Sequence, residues 1–114
     1  MAQNVESVKM ESICERFIRL IEAGDYYEAH EVFEEVWYPR RFEEKEEVRL
    51  IKGYINAAVA FELVKKGRMT PARKAWNTFL KYRPLLFSIA VEDQKMYEAV
   101  EKVLDAEHER LFGA

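Results

Sequence analysis

The sequence predicts an all-α fold: a compact bundle of about five helices, arranged as two helical hairpins plus a closing C-terminal helix. Three observations predict it. Three prolines and four glycines in 114 residues are too few for a chain of β-turns. No stretch sustains the strict apolar–polar alternation of a half-buried strand, whereas apolar residues recur three and four apart. Glycine or proline then falls where each periodic stretch stops.

Met10, Ile13, Cys14, Phe17, Leu20 and Ile21 make the first stripe, which ends at Gly24, a residue suited to the left-handed position after a helix. Asp25 is placed to cap the second helix, with Glu28 in the reciprocal capping-box position. Tyr26, Ala29, Phe33, Val36 and Trp37 share one face of that helix, which is expected to stop before Pro39. After the charged connector PRRFEEKEE, a third helix is predicted from about Glu46 to Lys66. It is apolar around most of its circumference and hence the most buried. Lys65 and Lys66 suit the negative end of its dipole, and Gly67 closes it. Thr70 and Pro71 supply start signals for a fourth helix reaching Tyr82, broken by Pro84. The last helix spans roughly Asp93 to Phe112, with Met96, Tyr97, Val100, Val103, Leu104 and Leu111 inward. Between these two, LLFSIAV fits a strand-like link or a short helix, and periodicity does not choose.

An offset of 43 residues relates the two hairpins. Gly24 falls on Gly67, Ala29 on Ala72, Phe33 on Trp76, Trp37 on Leu80, Leu20 on Leu63 and Ile21 on Val64. Glycine lets the chain reverse, alanine lets two helices approach, and the aromatic fills the space behind. Tetratricopeptide-like arrays use this logic, but with a period of about 34 residues and three or more repeats. Two matched hairpins plus one closing helix therefore read as a small bundle, whose correspondence comes from generic hairpin chemistry or from repeat ancestry.

The length suits one domain, residues 1–114, with residues 1–7 a flexible lead. With 49% hydrophobic and 34% charged residues, the chain is a folder rather than a disordered segment. A single cysteine, Cys14, excludes an intramolecular disulfide and favours a reducing compartment. The start lacks an apolar signal segment, and the apolar run from Tyr54 to Val64 is too short to span a bilayer. A cytoplasmic location, away from membranes, is the expectation.

GDYYEAHEVFEEVW, Gly24 to Trp37, is the chemically richest stretch. With Phe33 at the centre of the apolar face, a turn of about 100° per residue puts His30 and Trp37 on its edge. Glu34 lies just outside, four residues from His30 and within its reach. Glu31 points almost opposite, near Glu28 and Glu35. HEVFE is close to the zinc-protease motif H-E-x-x-H, but Glu34 stands where the second histidine belongs. The only other histidine is His108, and the paired Glu-x-x-His units of a di-iron bundle are missing. Two readings stay open for His30 and Glu34. One is a boundary pair packed beside Trp37. The other is a pocket in which they serve as base and orienter, or ligate a metal among oxygen donors.

The same stretch, followed by LIKGYINAAVAFELVKKGRMTPARKAW, resembles the bacterial and archaeal family called domain of unknown function 309. Members are similar to G-x-Y-x-x-A-H-E-x-x-E-x-x-W, then G-x-I-Q-x-A with a later histidine, then G-N-x-x-G-A. The resemblance covers Phe17 to Leu80. It rests on Gly24, Tyr26, Ala29, His30, Glu31, Glu34 and Trp37, and then on Gly53, Ile55 and Ala58. It implies a compact helical domain and brings no activity with it. Asn56 replaces the usual glutamine, Glu62 the later histidine, and Arg68 and Pro71 the later asparagine and glycine. A family pocket would here comprise His30, Glu34, Asn56 and Glu62, beside Trp37. Without the second histidine it suits a hard cation or a polar ligand, with His30, Glu34 and Glu62 as the metal-binding candidates; no organic-cofactor motif is present. Asn56 also shares a stripe with Arg49 and Lys52, as a wet helix edge would. Glu62 falls among Val48, Ile55 and Ala58, where a carboxylate needs a cationic partner. His30 is the first candidate. Cys14 reads as a core residue, and His108 as a solvated partner of Asp105.

Net charge is −3, against a surface that grips nucleic acid all over. Yet no Asp or Glu occurs from Leu63 to Val91, where Lys65, Lys66, Arg68, Arg73, Lys74 and Lys81 form a basic segment. Such a patch can hold phosphates or nucleic acid in a salt-dependent way. Trp76 and Phe79 fall on the inner face, poorly placed to stack on bases. A solvated basic face, or one facing the acidic second helix of another copy, is the commoner use. The leading expectation is a small protein-binding or self-associating module. A polar-ligand site or enzyme comes next, and nucleic-acid binding third.

Overall fold

Two turns of the same construction organise the chain. The computed structural model describes residues 5–113, with side chains from Lys9 onward. It contains α1 (Val5–Glu22), α2 (Tyr26–Arg40), α3 (Glu46–Lys65), α4 (Met69–Tyr82), a short 3-10 helix (Arg83–Ser88) and α5 (Val91–Phe112). Of the flexible lead expected over residues 1–7, residues 1–4 lie outside the described residues and Val5 to Ser7 belong to α1.

Gly24 ends α1 at φ +79° and Gly67 follows α3 at φ +74°. At the first turn Gly24 N–H donates to Ile21 O and Asp25 N–H to Leu20 O. At the second, Gly67 N–H donates to Val64 O and Arg68 N–H to Leu63 O. Both are Schellman turns, which satisfy the last carbonyls of a helix through a residue that only glycine occupies without strain. Gly67→Ala is therefore expected to cost about 1 kcal/mol. That is a fall in melting temperature of about 4 °C, measurable by circular dichroism; an unchanged melting point would remove the strain argument.

The 43-residue correspondence holds in space through Ala29 and Ala72, both fully buried, and through Phe33 and Trp76. It breaks at the next step, where Trp37 packs half-buried against the core and Leu80 is exposed. Helix starts depart from the expected chemistry. Asp25 precedes α2 but makes no side-chain capping bond, so the capping box with Glu28 does not form. Arg68, not Thr70, is the residue before α4, which puts Thr70 and Pro71 inside the first turn. Proline is tolerated there because first-turn N–H groups have no intrahelical acceptor. Pro39 lies inside α2, one residue from its end, where a missing N–H forfeits only a terminal bond. The segment after Tyr82 is helical, and Pro84 opens its 3-10 turn.

α3 is the central element, as its all-round apolar surface predicts, with α2 and α4 packed along it, α1 packed against both α2 and α5, and α5 also meeting α3 and the 3-10 helix. Ring contacts run across the three helices in two rows. Tyr26, Phe61 and Trp76 form one, with centroids 5.5 and 5.6 Å apart. Phe33, Tyr54 and Phe79 form the other, at 5.7 and 5.9 Å. Gly53 permits the α3–α4 approach: a Cβ there would lie 3.1 Å from Tyr82 Cβ.

Polar bonds fasten α5 to this core. Buried Glu101 accepts from Tyr54 Oη at 2.7 Å and from Arg83 Nε at 2.8 Å, and Arg83 also reaches Asp105. Tyr97 Oη donates to Glu47 at 2.8 Å. Glu107 accepts from Tyr26 Oη and from Arg110, which holds its carboxyl below the ordinary range. Burial and the neighbouring Glu107 push the Tyr26 phenol up to about 12, so it remains a donor.

His108, expected to be solvated beside Asp105, instead stacks on Trp76 at 4.0 Å and on Phe112 at 4.5 Å. Periodicity alone could not bring Trp76 beside α5. Burial lowers its pKa from 6.5, against the opposing pull of Asp105 and Glu109. Folding thus favours the neutral ring, while the unfolded chain takes up the proton once pH falls through about 6.5. The stacking contribution is complete above that pH and lost below it. The melting temperature should fall between neutrality and mild acid, and His108→Gln should flatten that part of the profile. An unchanged slope in the variant would assign the pH dependence to other groups.

Candidate functional site

The residues of the Gly24–Trp37 stretch divide between two duties. Gly24 makes the turn, Tyr26 and Ala29 are buried, and Trp37 packs on the core beneath Lys52, whose Nζ lies 4.8 Å from the ring centroid. Of the other residues that carry the family resemblance, His30, Glu31 and Glu34 face outward or lie at the rim.

His30 sits at the junction of two shallow grooves. One, of about 470 Å³, runs along the outer side of α2 between Tyr27 and Tyr38, with Glu31, Glu34 and Glu35 between them. The other, of about 210 Å³, lies between α2 and α3 and is walled by Tyr26, Val59, Leu63 and Glu62. His30 Nδ1 lies 2.9 Å from Tyr27 O, and Nε2 lies 3.3 Å from Glu34 Oε2. Both neighbours are acceptors, so Nδ1–H donates to the carbonyl and the Glu34 contact is a hydrogen bond only when Nε2 carries a proton. In the neutral ring Nε2 then keeps its lone pair, beside the Glu34 carboxylate.

The residues expected to share a pocket are only partly assembled. Glu62 and His30 line the same inner groove, but the cation beside Glu62 is Lys66, at 3.9 Å on the next turn, not His30. A helix places residues i and i+4 together without help from tertiary structure. Asn56 does not line the groove; its amide donates to Lys52 O within α3 at 2.9 Å, as a wet helix edge would. Among the described residues, no three His, Cys, Asp or Glu side chains converge closely enough to hold a metal ion. Thus His30, Glu34 and Glu62 do not form a ligand set. Cys14 is buried, and burial pushes its thiol up to about 12, which keeps it protonated and inert.

The basic segment is likewise divided. Lys65 donates to Gly24 O at 3.1 Å, tying α3 to the first turn, and Lys66 is beside Glu62. Arg68, Arg73, Lys74 and Lys81 are exposed, while Trp76 and Phe79 are buried.

What the sequence reading missed is the outer stripe of α2. Tyr27 and Tyr38 are 58% and 56% exposed, large values for aromatic side chains. They are eleven residues apart, three turns, so they share a face, with Glu31, Glu34 and Glu35 between them. Reading only the apolar stripe of that helix passed over a second one at the same spacing. Aromatic faces on α2 also hold cations from within the chain: Arg41 lies 3.7 Å from the Tyr38 centroid, and Lys65 5.7 Å from that of Tyr26.

These features define a small all-helical domain with an aromatic and acidic helix face turned outward. The chain belongs to the family described as domain of unknown function (DUF309), whose model matches residues 14–75. No curated protein and no solved structure matches it. No described helix is long and apolar enough to cross a membrane.

Proposed function

We propose that the protein is a single-domain, non-catalytic interaction module of the cytoplasm, and that the outer face of α2 is its binding surface for a basic polypeptide segment. One observation carries this reading: the groove in which two half-exposed tyrosines, Tyr27 and Tyr38, flank the carboxylates of Glu31, Glu34 and Glu35. Exposed tyrosines give contact area at small entropic cost, and acidic groups beside them favour Lys and Arg, which bind both carboxylates and ring faces. The lone buried cysteine suits a reducing compartment.

Titration with a synthetic helical peptide rich in Lys and Arg tests it, read by backbone amide shifts. The expected result is perturbation concentrated on α2 between Tyr27 and Tyr38, reduced at least tenfold in affinity by Glu31→Lys with Glu35→Lys. Saturable binding elsewhere, or no binding at low salt, would overturn it.

A further inference from the structure

We propose that the α2 face binds the basic face of α4 on a second copy of this chain, so that the protein associates with itself head to tail. This rests on the reading of α2 as the binding surface and names its partner. The two faces match in charge. Glu28, Glu31 and Glu35 are exposed on α2, and Arg73, Lys74 and Lys81 are exposed on α4 with no carboxylate of their own helix to meet. They also match in spacing. Glu28 and Glu35 are seven residues apart, as are Lys74 and Lys81. Seven residues are about 10.5 Å along a helix, so both pairs can form at once between two packed helices. Apolar surface accompanies the charge on each side: Leu80 is 43% exposed on α4, opposite the tyrosines offered by α2.

The geometry sets the kind of assembly. α2 and α4 each pack on α3 and offer separate outer faces, so one copy can engage two neighbours, one through each face. Such a contact is heterologous: it closes into a ring or grows, and its members are not limited to dimers. Because exposed ion pairs are screened, association should weaken strongly as the Debye length shrinks to about 3 Å at 1 M salt.

Sedimentation velocity across a range of protein concentrations, at low and at high salt, tests the proposal. The unmodified chain should gain mass with concentration at low salt and return to monomer mass at high salt. Lys74→Glu with Lys81→Glu should abolish association, as should Glu31→Lys with Glu35→Lys, each leaving the melting temperature within a few degrees. Mixing the two variants should restore it, because the acidic α2 of one meets the basic α4 of the other. A chain that is monomeric throughout, or association indifferent to these reversals, overturns the proposal. If the chain is monomeric yet the basic peptide still perturbs α2, the binding face stands and only its partner is wrong. Failure of both experiments removes the face itself.

Discussion

Glu101→Ala is expected to destabilise the fold by about 3–5 kcal/mol, the cost of breaking a buried charged network by removing one member. Glu101 is 6% exposed, and its carboxylate accepts from both Tyr54 Oη and Arg83 Nε. Without it the Tyr54 hydroxyl, itself fully buried, keeps a donor with no acceptor, and Arg83 retains only Asp105. Burial, together with the Glu101 charge, holds the Tyr54 phenol far above its ordinary value, so it cannot ionise to escape. The effects are not additive: Glu101→Leu combined with Tyr54→Phe and Arg83→Met should recover most of the loss, since apolar groups of similar size replace such a network at little cost. Urea denaturation of the single and triple variants checks this. A loss below about 1 kcal/mol for Glu101→Ala would mean that water reaches the network and screens it.

Phe61→Ala is expected to cost a comparable 3–5 kcal/mol through a different cause. Phe61 is fully buried in the middle of a ring row, 5.5 Å from Tyr26 on α2 and 5.6 Å from Trp76 on α4. Truncation leaves a void between three helices whose backbones are held apart by other contacts, so the site collapses only in part. Trp76 also supports the stacked His108, so the C-terminal end of α5 should loosen with it. Phe61→Leu should lose far less. In thermal melts the alanine variant should fall by about 12–20 °C for a chain of this size. If the two variants melt together, the row is filler rather than support.

The fold was largely legible because helix signals are local. The stripe from Met10 to Ile21, the turn glycines and the all-round apolar third helix each depend on residues within a few turns, and each lies where expected. Start signals were less reliable: Asp25 and Thr70 have the right chemistry for caps, yet the Schellman turns just before them already dictate where the chain re-enters a helix. The candidate site was half legible. His30 and Glu34 meet because four residues make a turn, and Lys66 reaches Glu62 by the same rule. Asn56 failed to join them because angle on a helix says nothing about the rotation of that helix against its neighbour. Glu101 carried a readable signal: it lies within the inward stripe of Tyr97, Val100 and Leu104, where a carboxylate, like Glu62, needs a partner.

By itself the sequence determined the helices, the two glycine turns and the acidic and basic character of the outer faces, all of which follow from the order of residues along one chain, and its motifs carried the resemblance to the family. Only the tertiary structure decided which polar groups became partners across helices: Glu101 with Tyr54 and Arg83, Tyr26 with Glu107, and His108 against Trp76. The physical reason is that periodicity sets the direction of a side chain about its own axis. What it meets there depends on how three or more helices settle around α3 to fill its apolar circumference.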